Sequence, residues 1–147
     1  QMGEIPMHAK WPDDLALIAV DSGRSASTPD LVGRVLRSAQ QGEAASALQN
    51  LVSWCHDFAR KPCAWVEAVN DCEKALEKLG AAAGVEIVTS EHRAIREVVC
   101  AAGGAYKISG AGGGDLGIAV SERSYSKRIL SALETRGVRA WEVVVAG

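Results

Sequence analysis

Four glycines in five residues, Gly110-Ala111-Gly112-Gly113-Gly114, separate two short apolar runs and constrain this chain more than any other segment. Glycine loses more backbone freedom on folding than other residues, so such a run persists only under a geometric demand. Either the chain turns repeatedly through positive φ, or another group comes too close to leave room for a Cβ. The flanks, Ala105–Ser109 and Leu116–Val120, read as strands, which makes Gly110–Asp115 the loop between them. Ordinary hairpins close in roughly two to five residues with one or two glycines. A longer loop, saturated with glycine, admits two readings. It is a structural hairpin, or it contacts a ligand through an anion-binding nest of successive N–H groups.

Two familiar phosphate motifs are excluded. A Walker A loop ends in Gly-Lys-Ser/Thr, whereas this one ends in Gly114-Asp115-Leu116. A dinucleotide fingerprint needs glycine where Asp115 stands and a helix after it, but Leu116-Gly117-Ile118-Ala119-Val120 is a strand.

The 147 residues suit one domain with its own core, and 48% apolar against 23% charged residues is the balance of an ordinary globular protein. The formal net charge is −2, with Lys and Arg scattered through the helices. No basic stripe interleaved with aromatics is present, so nucleic acid is not an expected partner. Apolar runs such as Leu15–Val20 and Val143–Ala146 are too short to cross a bilayer. No basic start followed by an apolar stretch suggests secretion, and the expected location is cytoplasmic.

Leu15–Val20, bounded by turn formers, reads as a buried strand, and Asp21–Ser27 as a polar loop. Thr28-Pro29-Asp30 then marks a helix start, with Thr28 as cap and Leu31, Val35, Leu36 and Ala39 on one side, stopping near Gln41-Gly42. A second helix is expected over Glu43–Ala59, buried through Leu48, Leu51, Val52 and Cys55. A third runs from Pro62 to Ala83 on the stripe Val69, Cys72, Leu76, Leu79. Ser90 caps a fourth, whose apolar face is Ile95, Val98, Val99 and Ala102. A last helix over Ser124–Arg136 precedes a strand over Val138–Ala146. The order predicts an α+β fold: a small, mainly antiparallel sheet of split βαβ, ferredoxin-like type, with several helices packed on one face.

Cys55, Cys63, Cys72 and Cys100 lack the spacing of a zinc knuckle or redox pair and read as reduced thiols packed as small hydrophobes. His8, His56 and His92 are isolated in sequence, so no metal site is expected.

Lys107-Ile108-Ser109-Gly110-Ala111-Gly112-Gly113-Gly114-Asp115, followed by Gly117-Ile118-Ala119, resembles the third signature motif of the GHMP kinases. Its Gly-Gly-Gly-Asp ending is most similar to that of the phosphomevalonate kinases. Asp21-Ser22-Gly23-Arg24-Ser25-Ala26-Ser27-Thr28, followed by Leu31-Val32, resembles the strand-loop-helix start of the C-terminal domain in mevalonate and phosphomevalonate kinases. The two segments occur in the family's order, and the resemblance covers nearly the whole chain.

The resemblance implies a GHMP-kinase C-terminal domain that borders a small phosphorylated or carboxylate substrate. Ser109, Gly110, Ala111, Gly112, Gly113 and Gly114 would then line the substrate, supplying a hydroxyl and backbone donors. Lys107 would orient the loop, and Asp115 would either point to substrate or cap the following strand. Ser27 and Thr28 match hydroxyl positions that face substrate, with helix capping as their alternative role. The bare Cα of Gly112 is expected to face the substrate. The phosphate loop, metal-binding acid and acceptor-positioning group of the family belong to an N-terminal domain with no counterpart in this sequence. Catalytic residues therefore cannot be named. The complete enzyme would use ATP and Mg, and this chain alone would bind neither and be inactive. The missing domain, in the same polypeptide or a separate chain, would be the main partner, with a homodimer also conceivable. Mevalonate, homoserine or sugar kinase membership, or a stand-alone non-catalytic binding module, are the alternatives.

Overall fold

Leu15-Ala16-Leu17-Ile18-Ala19-Val20 is too short and too uniformly apolar for a surface helix. In the computed structural model, which describes residues 10–60 and 64–145, it forms strand β1 (Leu15–Asp21). The chain continues as α1 (Thr28–Ser38), α2 (Gly42–Arg60), α3 (Trp65–Ala83) and α4 (Ser90–Ala101). It then forms β2 (Ala105–Ile108), β3 (Leu116–Glu122), a 3-10 turn over Arg123–Tyr125, α5 (Ser126–Thr135) and β4 (Ala140–Val143). The sheet order is β2-β3-β1-β4, and every neighbouring pair is antiparallel. This is the expected split βαβ plan, with α1 to α3 inserted between the first strand and α4.

Side chains alternate across the pleat, and the register decides which meet. Ile18 lies opposite Ala119, and Val20 opposite both Gly117 and Ala140. Ile18, Val20, Ala119 and Tyr106 face Ile95 and Val99 of α4, Ala102 at its C-cap, and Ile129 and Leu133 of α5, forming the main core. On the opposite face, Leu15, Val120 and Ala105 pack against Val69 beside Trp11 and Trp65. Helices therefore cover one face, while α3 runs along the free edge of β2 and caps one end of the other face. That edge would otherwise leave backbone donors unpaired. The buried carboxylate of Glu73 on α3 answers one of them, its Oε2 accepting the Ile108 N–H at 3.0 Å. A third cluster joins Val35, Leu79, Val85, Ile87, Val88 and Ile108 beneath the helices.

The boundaries differ from the sequence expectations for local reasons. Ser27 is the N-cap residue of α1, without a side-chain cap bond, and Thr28 is its first helical residue. Thr89, not Ser90, caps α4, its hydroxyl accepting the His92 N–H at 3.3 Å. The buried side of α2 is Ala44 with Ala47, Leu48 and Leu51, leaving Val52 and Cys55 exposed. Cys72 is buried but Cys100 is exposed, so packing as a small hydrophobe describes only the former. Leu36 is also exposed. The proposed start of the third helix at Pro62, the thiol of Cys63, the His8 side chain and the strand's end at Ala146 lie outside the described residues.

Candidate functional site

The glycine run does turn through positive φ. Gly110, Gly112, Gly113 and Gly114 have φ of 79°, 86°, 80° and 150°, and Asp115 follows at 59°. Aspartate is among the few residues that tolerate this region, which is why the run can end on it. The loop is closed at its base by the Ser109 N–H donating to Leu116 O at 2.9 Å. It is held from outside by two further backbone bonds. Gly113 N–H donates to Ile87 O at 2.7 Å, and Asp115 N–H donates to Arg24 O. Among the described residues the N–H groups of Gly110, Ala111, Gly112 and Gly114 donate to no protein acceptor. Gly112 and Gly114 are buried, so the loop has committed amides that fix its shape and, at Gly110 and Ala111, uncommitted amides that a ligand can reach.

Space explains the glycines separately from φ. A Cβ on Gly112 would stand 2.4 Å from Ile87 O and 2.7 Å from Ile108 Cδ1. The bare Cα of Gly112 faces the protein's own core, which corrects the expectation that it faces substrate. A Cβ on Gly114 would meet Arg24 O at 2.6 Å, and one on Gly113 would meet Leu31 Cδ1 at 3.0 Å. Gly110 has open space around it. Gly113 and Gly114 are glycine so that the loop can lie against the entry to α1.

That contact joins the two sequence segments. The Ser22 N–H donates to Asp115 O at 2.9 Å, completing the seam between the loop after β1 and the glycine loop. A shallow depression of about 270 Å³ opens there, lined among others by Arg24, Ser27, Asp30, Leu31, Arg34 and Gly113. Its charge is mixed. Arg24 already pairs with Glu91 at 3.3 Å and reaches Glu86 at 4.0 Å, and Arg34 bonds Gly84 O at 3.4 Å. Glu91, in the first turn of α4, is held down to about 2, chiefly by a bond from its own backbone N–H and then by the Thr89 hydroxyl. It stays ionised beside Arg24 at any physiological pH.

The structure brings Ser27 and Gly113 to one depression and places Ser109, Gly110 and Ala111 on the neighbouring loop surface. Ser109, Gly110 and Asp115 are exposed. Thr28 opens α1, one residue beyond Ser27. Lys107 lies on β2 at the base of the loop, its Nζ donating to Ile108 O, and its ammonium does not line the depression.

Three contributors were not singled out from the sequence. Ser27, Asp30, Leu31 and Arg34 follow the i, i+3, i+4, i+7 pattern, so the face of α1 that carries Ser27 also carries Arg34. Arg24 sits in the same polar loop as Ser27, where nothing in its neighbours marks it. His92 occupies the stripe His92, Ile95, Val99, Ala102 at spacings of three and four, a pattern that places it inside. It is fully buried. Its ring nitrogens lie 2.6 Å from Tyr106 Oη and 3.1 Å from Gly114 O. Burial pushes the imidazole below its ordinary value, and the Gly114 carbonyl only partly opposes this. His92 is neutral and touches the glycine loop directly.

No family model matches the chain. The chain is 32% identical over 139 residues to the phosphomevalonate kinase of Streptomyces sp. (strain CL190), an alignment that covers 86% of this chain and 37% of that protein. The mevalonate kinase of Methanococcus jannaschii superposes with a TM-score of 0.70 at 22% identity, covering 92% of this chain and 40% of that one. The Streptococcus pneumoniae phosphomevalonate kinase, solved with phosphomevalonate and AMPPNP, superposes with a TM-score of 0.67 at 20% identity, covering 88% and 40%. This chain thus spans well under half the length of the relatives it matches. Its structural neighbours are GHMP kinases, and its fold is that of their C-terminal domain.

Proposed function

We propose that this chain is the substrate-side domain of a GHMP small-molecule kinase of the phosphomevalonate-kinase type. In this reading an N-terminal domain supplies the ATP and Mg sites and the phosphoryl-transfer groups. The described residues present no group of three or more His, Cys, Asp or Glu side chains able to hold a metal. The task left to this chain is to bind and orient the phosphate or carboxylate of the acceptor substrate. One observation carries the reading: the amides of Gly110 and Ala111 reach the surface uncommitted, on a loop pinned through the Gly113 and Asp115 amides. Preorganised N–H donors stabilise developing negative charge without reorganising at the moment of reaction. The exposed Ser109 and Ser27 hydroxyls would add to them, and Asp115 is exposed at the loop's end.

The likeness to the Streptomyces phosphomevalonate kinase favours phosphomevalonate over mevalonate, homoserine or a sugar as the substrate. The open end of the sheet supports an N-terminal partner domain. Ala19, Ile118 and Trp141 lie side by side there, with Leu116 beyond them, on a face that no helix of the described residues covers at that end. Purified chain given Mg-ATP and phosphomevalonate should bind phosphomevalonate by calorimetry, bind no nucleotide and give no diphosphate product. Turnover by the chain alone would overturn the division of labour proposed here.

A further inference from the structure

Two peptide groups of the glycine loop are held, at three polar atoms, by parts of the fold distant in sequence. Ile87 O takes the Gly113 N–H, Arg24 O takes the Asp115 N–H, and His92 Nε2 lies 3.1 Å from Gly114 O. The peptide plane between Gly114 and Asp115 is therefore fixed at both its carbonyl and its N–H. The plane between Gly112 and Gly113 is fixed at its N–H. Suspended between these two is the Gly113–Gly114 plane, whose N–H is uncommitted among the described residues. With glycine on both sides, that plane keeps rotational freedom of its own, so the shape of the loop depends on the anchored planes around it.

The chemistry of the contacts assigns the proton on His92. A carbonyl oxygen can only accept, so Nε2 carries the hydrogen and donates to Gly114 O. Nδ1 is then the acceptor, and the Tyr106 hydroxyl donates to it. Tyr106 is fully buried, and burial pushes its hydroxyl far above the ordinary tyrosine value, so it remains a donor. The His92 backbone is held as well, through its N–H to the Thr89 hydroxyl. Gly117 completes the arrangement, since a Cβ there would stand 2.0 Å from Tyr106 Oη. The glycine in the strand after the loop makes room for the tyrosine that locks the histidine that grips the loop.

We propose that His92 is a positioning residue for the glycine loop: through the Gly114 carbonyl it anchors the Gly114–Asp115 peptide plane that closes the loop, and Tyr106 fixes which imidazole nitrogen does so. The inference rests on the reading of that loop as the anion contact. His92 touches no substrate in this account and acts only through Gly114.

The test uses amide hydrogen exchange and inorganic phosphate binding on the whole chain. His92→Phe keeps a ring in the core but removes both nitrogens, and His92→Gln restores an N–H within reach of Gly114 O. His92→Phe should speed exchange of the Gly110, Ala111 and Gly114 amides and weaken phosphate binding by roughly tenfold, the scale of one lost hydrogen bond. His92→Gln should recover most of both. Imidazole nitrogen shifts in the unmodified protein should show a single Nε2–H tautomer. In Tyr106→Phe, which removes one oxygen and serves if His92→Phe does not fold, that tautomer should become mixed and loop exchange should rise. A folded His92→Phe or Tyr106→Phe protein with unaltered loop exchange would overturn the positioning role. If the unmodified chain binds no phosphate while His92→Phe still loosens the loop, the anion reading falls and the positioning role stands.

Discussion

A Cβ on Gly112 would lie 2.4 Å from the carbonyl oxygen of Ile87, the same oxygen that accepts the Gly113 N–H. The tightest point of the glycine loop is thus a packing contact with the segment before α4, and a methyl there must displace backbone. Gly112→Ala also forces an L-residue to a φ of 86°. It should cost about 3 kcal/mol of stability, combining overpacking with left-handed strain. Gly110→Ala, with a φ of 79° but open space, should cost about 1 kcal/mol from strain alone. Chemical denaturation of the two variants checks the difference. Equal losses would mean that the Ile87 contact contributes nothing.

Glu73 provides a pH-dependent test of the packing beside the loop. One of its oxygens accepts the Ile108 N–H, and the other has no partner among the described residues. Burial raises its pKa above the ordinary 4.5, opposed by the bond from Ile108 and by the Arg96 and Lys107 charges. The folded state therefore holds the proton more tightly than the unfolded chain. The stability from this group is fully present below 4.5 and is lost as pH rises through the elevated folded value. Glu73→Gln keeps an acceptor for Ile108 and cannot ionise. Its melting temperature relative to the unmodified protein should rise steadily from pH 4 toward neutrality. A difference independent of pH would show that Glu73 titrates normally.

The open end of the sheet predicts self-association. Trp141 and Leu116 are 47% and 42% exposed beside Ala19 and Ile118, apolar surface that water penalises. Sedimentation of the chain at increasing concentration should show dimers or larger species, and Trp141→Glu should shift them toward monomer. Monomers at every concentration would remove the support this face gives to an N-terminal partner domain.

The sheet and its helices were legible because their signals are local. Leu15–Val20 is an apolar run bounded by turn formers, Gly84 and Gly137 end α3 and α5 with positive φ, and the stripes of α3 and α4 follow helical spacing. The glycine loop was legible as a place, since only glycine can turn through positive φ so often. What held each glycine there was not, because Ile87 and Arg24 approach from distant parts of the chain. The stripe on α2 was misjudged for a related reason. Its outer side carries Val52 and Cys55, and only packing against α3 reveals that the alanine side faces inward. His92 was passed over because a histidine alone in sequence shows no partner. Its partners are a backbone carbonyl and a tyrosine brought to it by the fold.

The central claim is that the glycine loop offers its uncommitted amides to an anionic group. Titrating nitrogen-15-labelled chain with inorganic phosphate tests it most directly. Saturable shifts should centre on the amides of Gly110 and Ala111, with smaller movement at the buried Gly114 and at Gly113 and Asp115, whose N–H groups already bond Ile87 and Arg24. Phosphate that leaves the loop amides unmoved, or that shifts only residues elsewhere on the chain, would contradict it.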